Sequence, residues 1–212
     1  LGIPFSDPTA EGPVIQEANV RALSAGTTTD KIFDMLRQNK DRFRVPMVFM
    51  TYANVVFSYG NDRFLSQCKE VGIKGLILPD VPFEEKGDFL SDCERYDVDL
   101  ISMVAPTSEN RIAMISKEAK GFVYVVSSLG VTGVRSNITT DIGALTSVIR
   151  QNTGTPCAIG FGISTPEQAK KMSANADGVI VGSAIMRIVA EHGTDSPRYV
   201  GEYVRSMKDA IS

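Results

Sequence analysis

Residues 156–185 read PCAIGFGISTPEQAKKMSANADGVIVGSAI. Two short apolar runs, Pro156–Ile159 and Gly178–Val181, stand about twenty residues apart, and each runs straight into a glycine-bearing turn. Both runs are continuous rather than alternating, the pattern of strands buried on both faces, as in a parallel sheet. Between them, Pro166–Ser173 places apolar residues at helical spacing, and Ser164-Thr165-Pro166-Glu167 supplies a capping hydroxyl and an early proline. The unit is therefore strand, glycine turn, helix, strand, glycine turn. Glycines there leave backbone amides bare at the start of a helix, where anions bind well.

The same unit recurs outward from this stretch. Further strands are expected at Pro46–Met50, Gly75–Leu78, Asp99–Val104 and Phe122–Val126. Helical spacing marks Val14–Ala25, Thr29–Asn39, Asn61–Val71, Phe83–Tyr96, Ser108–Ala119, Thr140–Gln151, Ala184–Glu191 and Pro197–Ile211. Strand–helix alternation without a linker means either a (β/α)8 barrel or an open doubly wound sheet. Six strands are complete, and Leu1-Gly2-Ile3-Pro4 looks like the tail of another. A full barrel takes about 250 residues. The expectation is a single domain over 1–212: an α/β TIM barrel, incomplete, with about six full parallel strands in chain order and its N-terminal units lacking.

Composition narrows the function. The 212 residues are 43% hydrophobic and 22% charged, with a formal net charge of −3, which does not favour nucleic acid or an acidic membrane. No apolar run approaches the length of a membrane span, and no signal peptide is visible. Cys68, Cys93 and Cys157 lack metal-like spacing and read as reduced thiols in the cytoplasm. One histidine, His192, cannot build a multi-histidine zinc site, and it reads as a cap at a helix end.

Four turns carry candidate chemistry. Phe5–Pro13 (FSDPTAEGP) follows a strand end and brings Asp7 and Glu11 to the side where barrel enzymes act. As a plain loop it would carry solvated charges. Ser127–Gly133 (SSLGVTG) follows the run FVYVV and reads as a lid, part of a phosphate cradle, or simple turn chemistry. Gly160-Phe161-Gly162 and Gly182-Ser183 follow consecutive strands, in the positions where barrels often bind phosphate. The first also begins a dinucleotide pattern, but Thr165 replaces its third glycine. Asp80 ends a strand and is either a site carboxylate or a loop cap. Tyr124 either faces a ligand or packs in the core.

Together, LGIPFSDPTAEGPVIQ at 1–16, PMVFMTYAN at 46–54, LPDVPFEE at 78–85, VSSLGVTG at 126–133, GFGISTPEQ at 160–168 and VGSAI at 181–185 resemble the tryptophan synthase alpha subunit, over essentially the whole chain. The resemblance implies a cytoplasmic lyase of tryptophan biosynthesis. That family cleaves indole-3-glycerol phosphate to indole and glyceraldehyde 3-phosphate without metal or cofactor, and indole passes to a pyridoxal-phosphate beta subunit within an alpha2-beta2 complex. By resemblance, Glu11 stands where a carboxylate, usually Asp, accepts the indole N–H. Met50, Ile77, Asp80, Tyr124 and Thr132 match substrate-binding positions. Gly133, Phe161, Gly162, Gly182 and Ser183 match the phosphate site, and Asp7 and Pro8 match the loop that meets the beta subunit. A second carboxylate, a Glu directly before the first motif, precedes Leu1 in the family. Cleavage of the full substrate by residues 1–212 alone is accordingly not expected. Two other readings remain: a non-catalytic phosphate-binding barrel that docks a beta subunit, and another phosphate-barrel isomerase of the same pathway.

Overall fold

The computed structural model describes residues 1–126, 141–160 and 162–212. The chain divides into two compact units, Leu1–Thr9 with Asn19–Ser102, and Ala10–Ala18 with Met103–Ser212.

The first unit is built around strands β1 (Met47–Met50) and β2 (Ile73–Ile77) and the short β3 (Asp99–Leu100), parallel and in chain order. Helix α2 (Thr29–Gln38) starts at Thr28, whose side chain accepts the Lys31 N–H. Helix α4 (Asn61–Val71) ends at Gly72 in the left-handed region, the usual glycine C-cap. Both helices press apolar stripes on one face of the sheet. Phe33, Phe49 and Phe64 are each at most 1% exposed. Phe33 meets Phe49 edge-on at 5.6 Å and Phe64 at 5.5 Å between ring centroids, the geometry aromatic quadrupoles favour. Helix α5 (Gly87–Arg95) adds Phe89 and Cys93 to this core. The opening residues pair with β1: Met50 donates its N–H to the Leu1 carbonyl at 2.8 Å, and the Ile3 N–H reaches the Met50 carbonyl at 3.1 Å. Leu1–Ile3 thus does run as a strand tail.

The second unit carries β4 (Ser102–Val104), β5 (Val123–Val126), β6 (Cys157–Gly160) and β7 (Gly178–Ile180), again side by side in chain order. The β5–β6 and β6–β7 pairs are parallel. Helices α6 (Glu109–Lys117), α7 (Ile142–Asn152), α8 (Pro166–Ser173), α9 (Ser183–His192) and α10 (Ser196–Ile211) intervene or follow. Ile115, Val123, Val125, Ile149, Cys157 and Ile159 are buried.

Two expectations need correction. The strand expected over Asp99–Val104 is broken at Ile101, giving β3 and β4. Ile101 instead donates its N–H to the Leu76 carbonyl at 2.9 Å and buries its side chain. A helix absent from the sequence reading, α3, spans Ala53–Tyr59. Its first residues follow the β1 run closely, and its seven-residue sequence ANVVFSY is too short and too β-branched to show a helical period. Helix α1 covers Pro13–Ser24.

Candidate active site

The ends of β1 and β2 in the first unit are paired at Met50 and Ile77. These two alternate with Phe49 and Leu76, which join the helix-packed core. Met50 and Ile77 therefore lie on the opposite sheet face. Ile77 is 4% exposed and Met50 is half-buried. Three residues past Ile77, Asp80 is exposed, yet its carboxylate is engaged: both oxygens stand 3.1 Å from the backbone N–H of Ala53, the first residue of α3. The cap reading of Asp80 therefore describes its contact. Asp7 is exposed and accepts from the Ser6 hydroxyl at 2.5 Å, and Pro8 is half-buried.

In the second unit, Tyr124 is 9% exposed, and burial raises its hydroxyl pKa above the ordinary tyrosine range. Val126 pairs with Gly160 across β5–β6, and Gly160 pairs with Ile180 across β6–β7. The Tyr124 ring lies against Gly160: a Cβ added there would stand 2.7 Å from Cε1 and Cζ of the ring. Tyr124 thus points along the sheet toward the strand ends. Gly162 and Gly182 each follow a paired residue by two positions, so they emerge at the same end of neighbouring strands. Gly162 has φ +77°, a conformation that favours glycine.

The two helices that start here differ. Helix α8 is closed on itself: Thr165 and Gln168 form a capping box, and Gln168 Oε1 takes the N–H groups of Ser164 at 2.8 Å and Thr165 at 3.2 Å. Helix α9 starts at Gly182 with no side-chain cap. The Gly182 carbonyl accepts the Met186 N–H at 3.1 Å, while a helix leaves its own leading amides without an internal partner. A Cβ on Gly182 would meet nothing within 4 Å. Among the described residues, leading helix amides and free space meet at Gly182-Ser183, the setting in which anions bind.

Glu11 is half-buried, and its carbonyl accepts the Gln16 side chain at 2.8 Å. Thr132, Gly133 and Phe161 lie outside the described residues. Among the described residues, no group of three or more His, Cys, Asp or Glu could hold a metal ion, and no helix is long and apolar enough to cross a membrane. His192 ends α9, and its ring stacks on Tyr199 at 3.6 Å between centroids.

Within each unit the strands run in chain order with helices between them, the arrangement of the (β/α)8-barrel class rather than of a doubly wound sheet. Comparison with known proteins narrows this. The family model described as tryptophan synthase alpha chain matches residues 1–211. The tryptophan synthase alpha chain of Lacticaseibacillus casei is 46% identical over 211 residues, covering 100% of this chain and 79% of that protein. The same protein of Lactiplantibacillus plantarum is 45% identical, covering 100% and 80%. Among solved structures, the alpha subunit of Campylobacter jejuni matches with a TM-score of 0.82 at 36% identity, covering 99% of this chain and 81% of that one. A Pyrococcus furiosus chain, from a structure of the tryptophan synthase a2b2 complex, matches with a TM-score of 0.87 at 30% identity, covering 98% and 84%. The chain belongs to the tryptophan synthase alpha chain family.

Proposed function

We propose that this chain supplies most of a lyase that, with a glutamate directly before Leu1, cleaves indole-3-glycerol phosphate to indole and glyceraldehyde 3-phosphate and works in the cytoplasm with a pyridoxal-phosphate beta subunit. The observation that supports it best is the uncapped start of α9 at Gly182-Ser183, beside the Gly162 turn, in a chain matched to this family from residue 1 to 211. That match spans both compact units, which supports reading residues 1–212 as one barrel domain.

The residues divide the work chemically. The amides at Gly162, Gly182 and Ser183, with Gly133 and Phe161, hold the phosphate. By the family resemblance, Met50, Ile77, Asp80, Tyr124 and Thr132 contact the substrate. Glu11 accepts the indole N–H. Protonation at C3 makes that carbon sp3 and leaves the ring nitrogen positive; a carboxylate at the nitrogen stabilises that charge. The glycerol hydroxyl then loses its proton, its electrons form the carbonyl of glyceraldehyde 3-phosphate, and the C–C bond electrons return to the ring as indole leaves. All bond changes occur within the substrate, so the proposed reaction draws on no cofactor of the chain's own. Asp7 and Pro8 meet the beta subunit.

The test is indole release, measured on the protein carrying a glutamate directly before Leu1, with and without Glu11→Gln. Loss of one group that stabilises charge developing in the transition state lowers the rate on the order of 10² to 10³. Glycerol phosphate binding should stay unchanged. Equal turnover by the two proteins would remove Glu11 from the mechanism.

A further inference from the structure

We infer that Asp80 is a positioning residue, holding the start of α3 so that Tyr52 supports the Phe5–Pro13 loop, and so sets the affinity for the beta subunit. The inference rests on the reading that this loop meets that subunit.

The first observation is how α3 begins. Its N-cap residue, Tyr52, makes no side-chain cap bond. The leading N–H of the helix is taken instead by Asp80, 27 residues away at the end of β2, through both carboxylate oxygens at 3.1 Å. A carboxylate at that position also opposes the positive end of the helix. A seven-residue helix with two adjacent valines has little stability of its own, so an external cap matters more here than on a long helix.

The second observation is what Tyr52 does. It is 3% exposed, and its ring meets Phe5 at 5.3 Å between centroids. The preceding residue, Thr51, is 2% exposed. It donates its N–H to the Ile77 carbonyl at 3.1 Å and its hydroxyl to the Ile3 carbonyl at 3.5 Å. Thr51-Tyr52-Ala53 therefore ties the base of the Phe5–Pro13 loop to the end of β2. Asp80 fixes the last residue of that tie, and Asp7 and Pro8 sit two and three residues beyond Phe5.

Two substitutions separate this role from a direct contact with substrate. Asp80→Ala removes the acceptor. Ala53→Pro removes the donor and leaves Asp80 in place, at a first helical position where proline is well tolerated and after an extended Tyr52 at φ −100°, ψ 151° that suits a following proline. Each should weaken beta-subunit binding by about tenfold, the scale of one lost helix cap. Asp80→Asn, which keeps an acceptor oxygen, should stay within about twofold. Glycerol phosphate binding should not change in any of them. Phe5→Ala combined with Asp80→Ala should lose no more than either alone, because both act through Tyr52; a general loss of stability would add instead. Beta-subunit titration, with a thermal melt of each variant, reads all of this. Should Asp80→Ala not fold, Ala53→Pro carries the test. Wild-type affinity in Ala53→Pro, or additive losses with Phe5→Ala, would overturn the inference. If Asp7→Ala and Pro8→Ala bind the beta subunit normally, it is the loop reading that fails. If they weaken binding and Ala53→Pro does not, it is the role of Asp80.

Discussion

The ring of Tyr124 occupies the space that a side chain on Gly160 would need. An added Cβ would stand 2.7 Å from two ring carbons, closer than non-bonded carbons pack. Tyr124 is 9% exposed and held within the sheet, so it yields poorly. Gly160→Ala is expected to destabilise by about 1–3 kcal/mol, the usual cost of overpacking. Combining it with Tyr124→Ala should cost less than the two single losses summed. Urea unfolding of the four proteins measures this, and simple additivity would show that the two positions do not collide.

Gly182 gives the opposite result. It has φ −119° and open space around its missing Cβ. Gly182→Val is expected to cost no more than about 1 kcal/mol, the scale of losing a favoured N-cap residue, because it disturbs no packing. It should nonetheless weaken glycerol phosphate binding by about tenfold or more, because the added group occupies the approach to the α9 amides. Calorimetric titration decides; undiminished binding would place the phosphate elsewhere.

Helix α8 provides a control. Thr165→Ala breaks its capping box and should cost about 1 kcal/mol of stability. Phosphate affinity should hold, since Gln168 still takes the N–H groups of residues 164 and 165 that lead into α8. A parallel loss of affinity would mean that α8, not α9, faces the anion.

Alkaline stability follows from two thiols. Burial pushes Cys93 up to about 12 from an ordinary value of 9.0, and burial also raises Cys68 strongly. In the unfolded chain both ionise near the ordinary value, while in the folded chain they stay protonated. Their contribution is complete below pH about 9 and is lost as the pH rises towards 12. Urea midpoints should therefore fall over that window, and less so in Cys93→Ala after correction for its lower starting stability. A thiol reagent at mildly alkaline pH should label neither residue before unfolding.

The sequence showed the fold where local pattern and burial agree. Continuous runs at 122–126, 156–159 and 178–181 became β5, β6 and β7 within a residue or two. Asn61–Val71 and Pro166–Ser173 matched α4 and α8 end to end, because each carries its own terminal signal, Gly72 in one and Thr165-Pro166 in the other. Helix α3 escaped because its cap comes from Asp80, a partner that no local window contains. The break at Ile101 escaped for a similar reason: its N–H partner is the carbonyl of Leu76, set by the neighbouring strand. At the site, the glycines at 160, 162 and 182 were legible as turns after strands, which is what makes them candidates for an anion. The difference between them was not, since it depends on Gln168 folding back over Ser164 and Thr165. The contact of Tyr124 with Gly160 depends on strand register, which one-dimensional spacing does not carry.

The phosphate role proposed for the start of α9 also bears on what controls affinity. Gly162, Gly182 and Ser183 offer dipoles and no titratable group, so nothing in that trio changes its charge as the medium moves from mildly acid to neutral. The ligand does change: a phosphate monoester takes its second negative charge near pH about 6. Occupancy should thus follow the ionisation of the metabolite rather than that of the protein, rising as acidity falls.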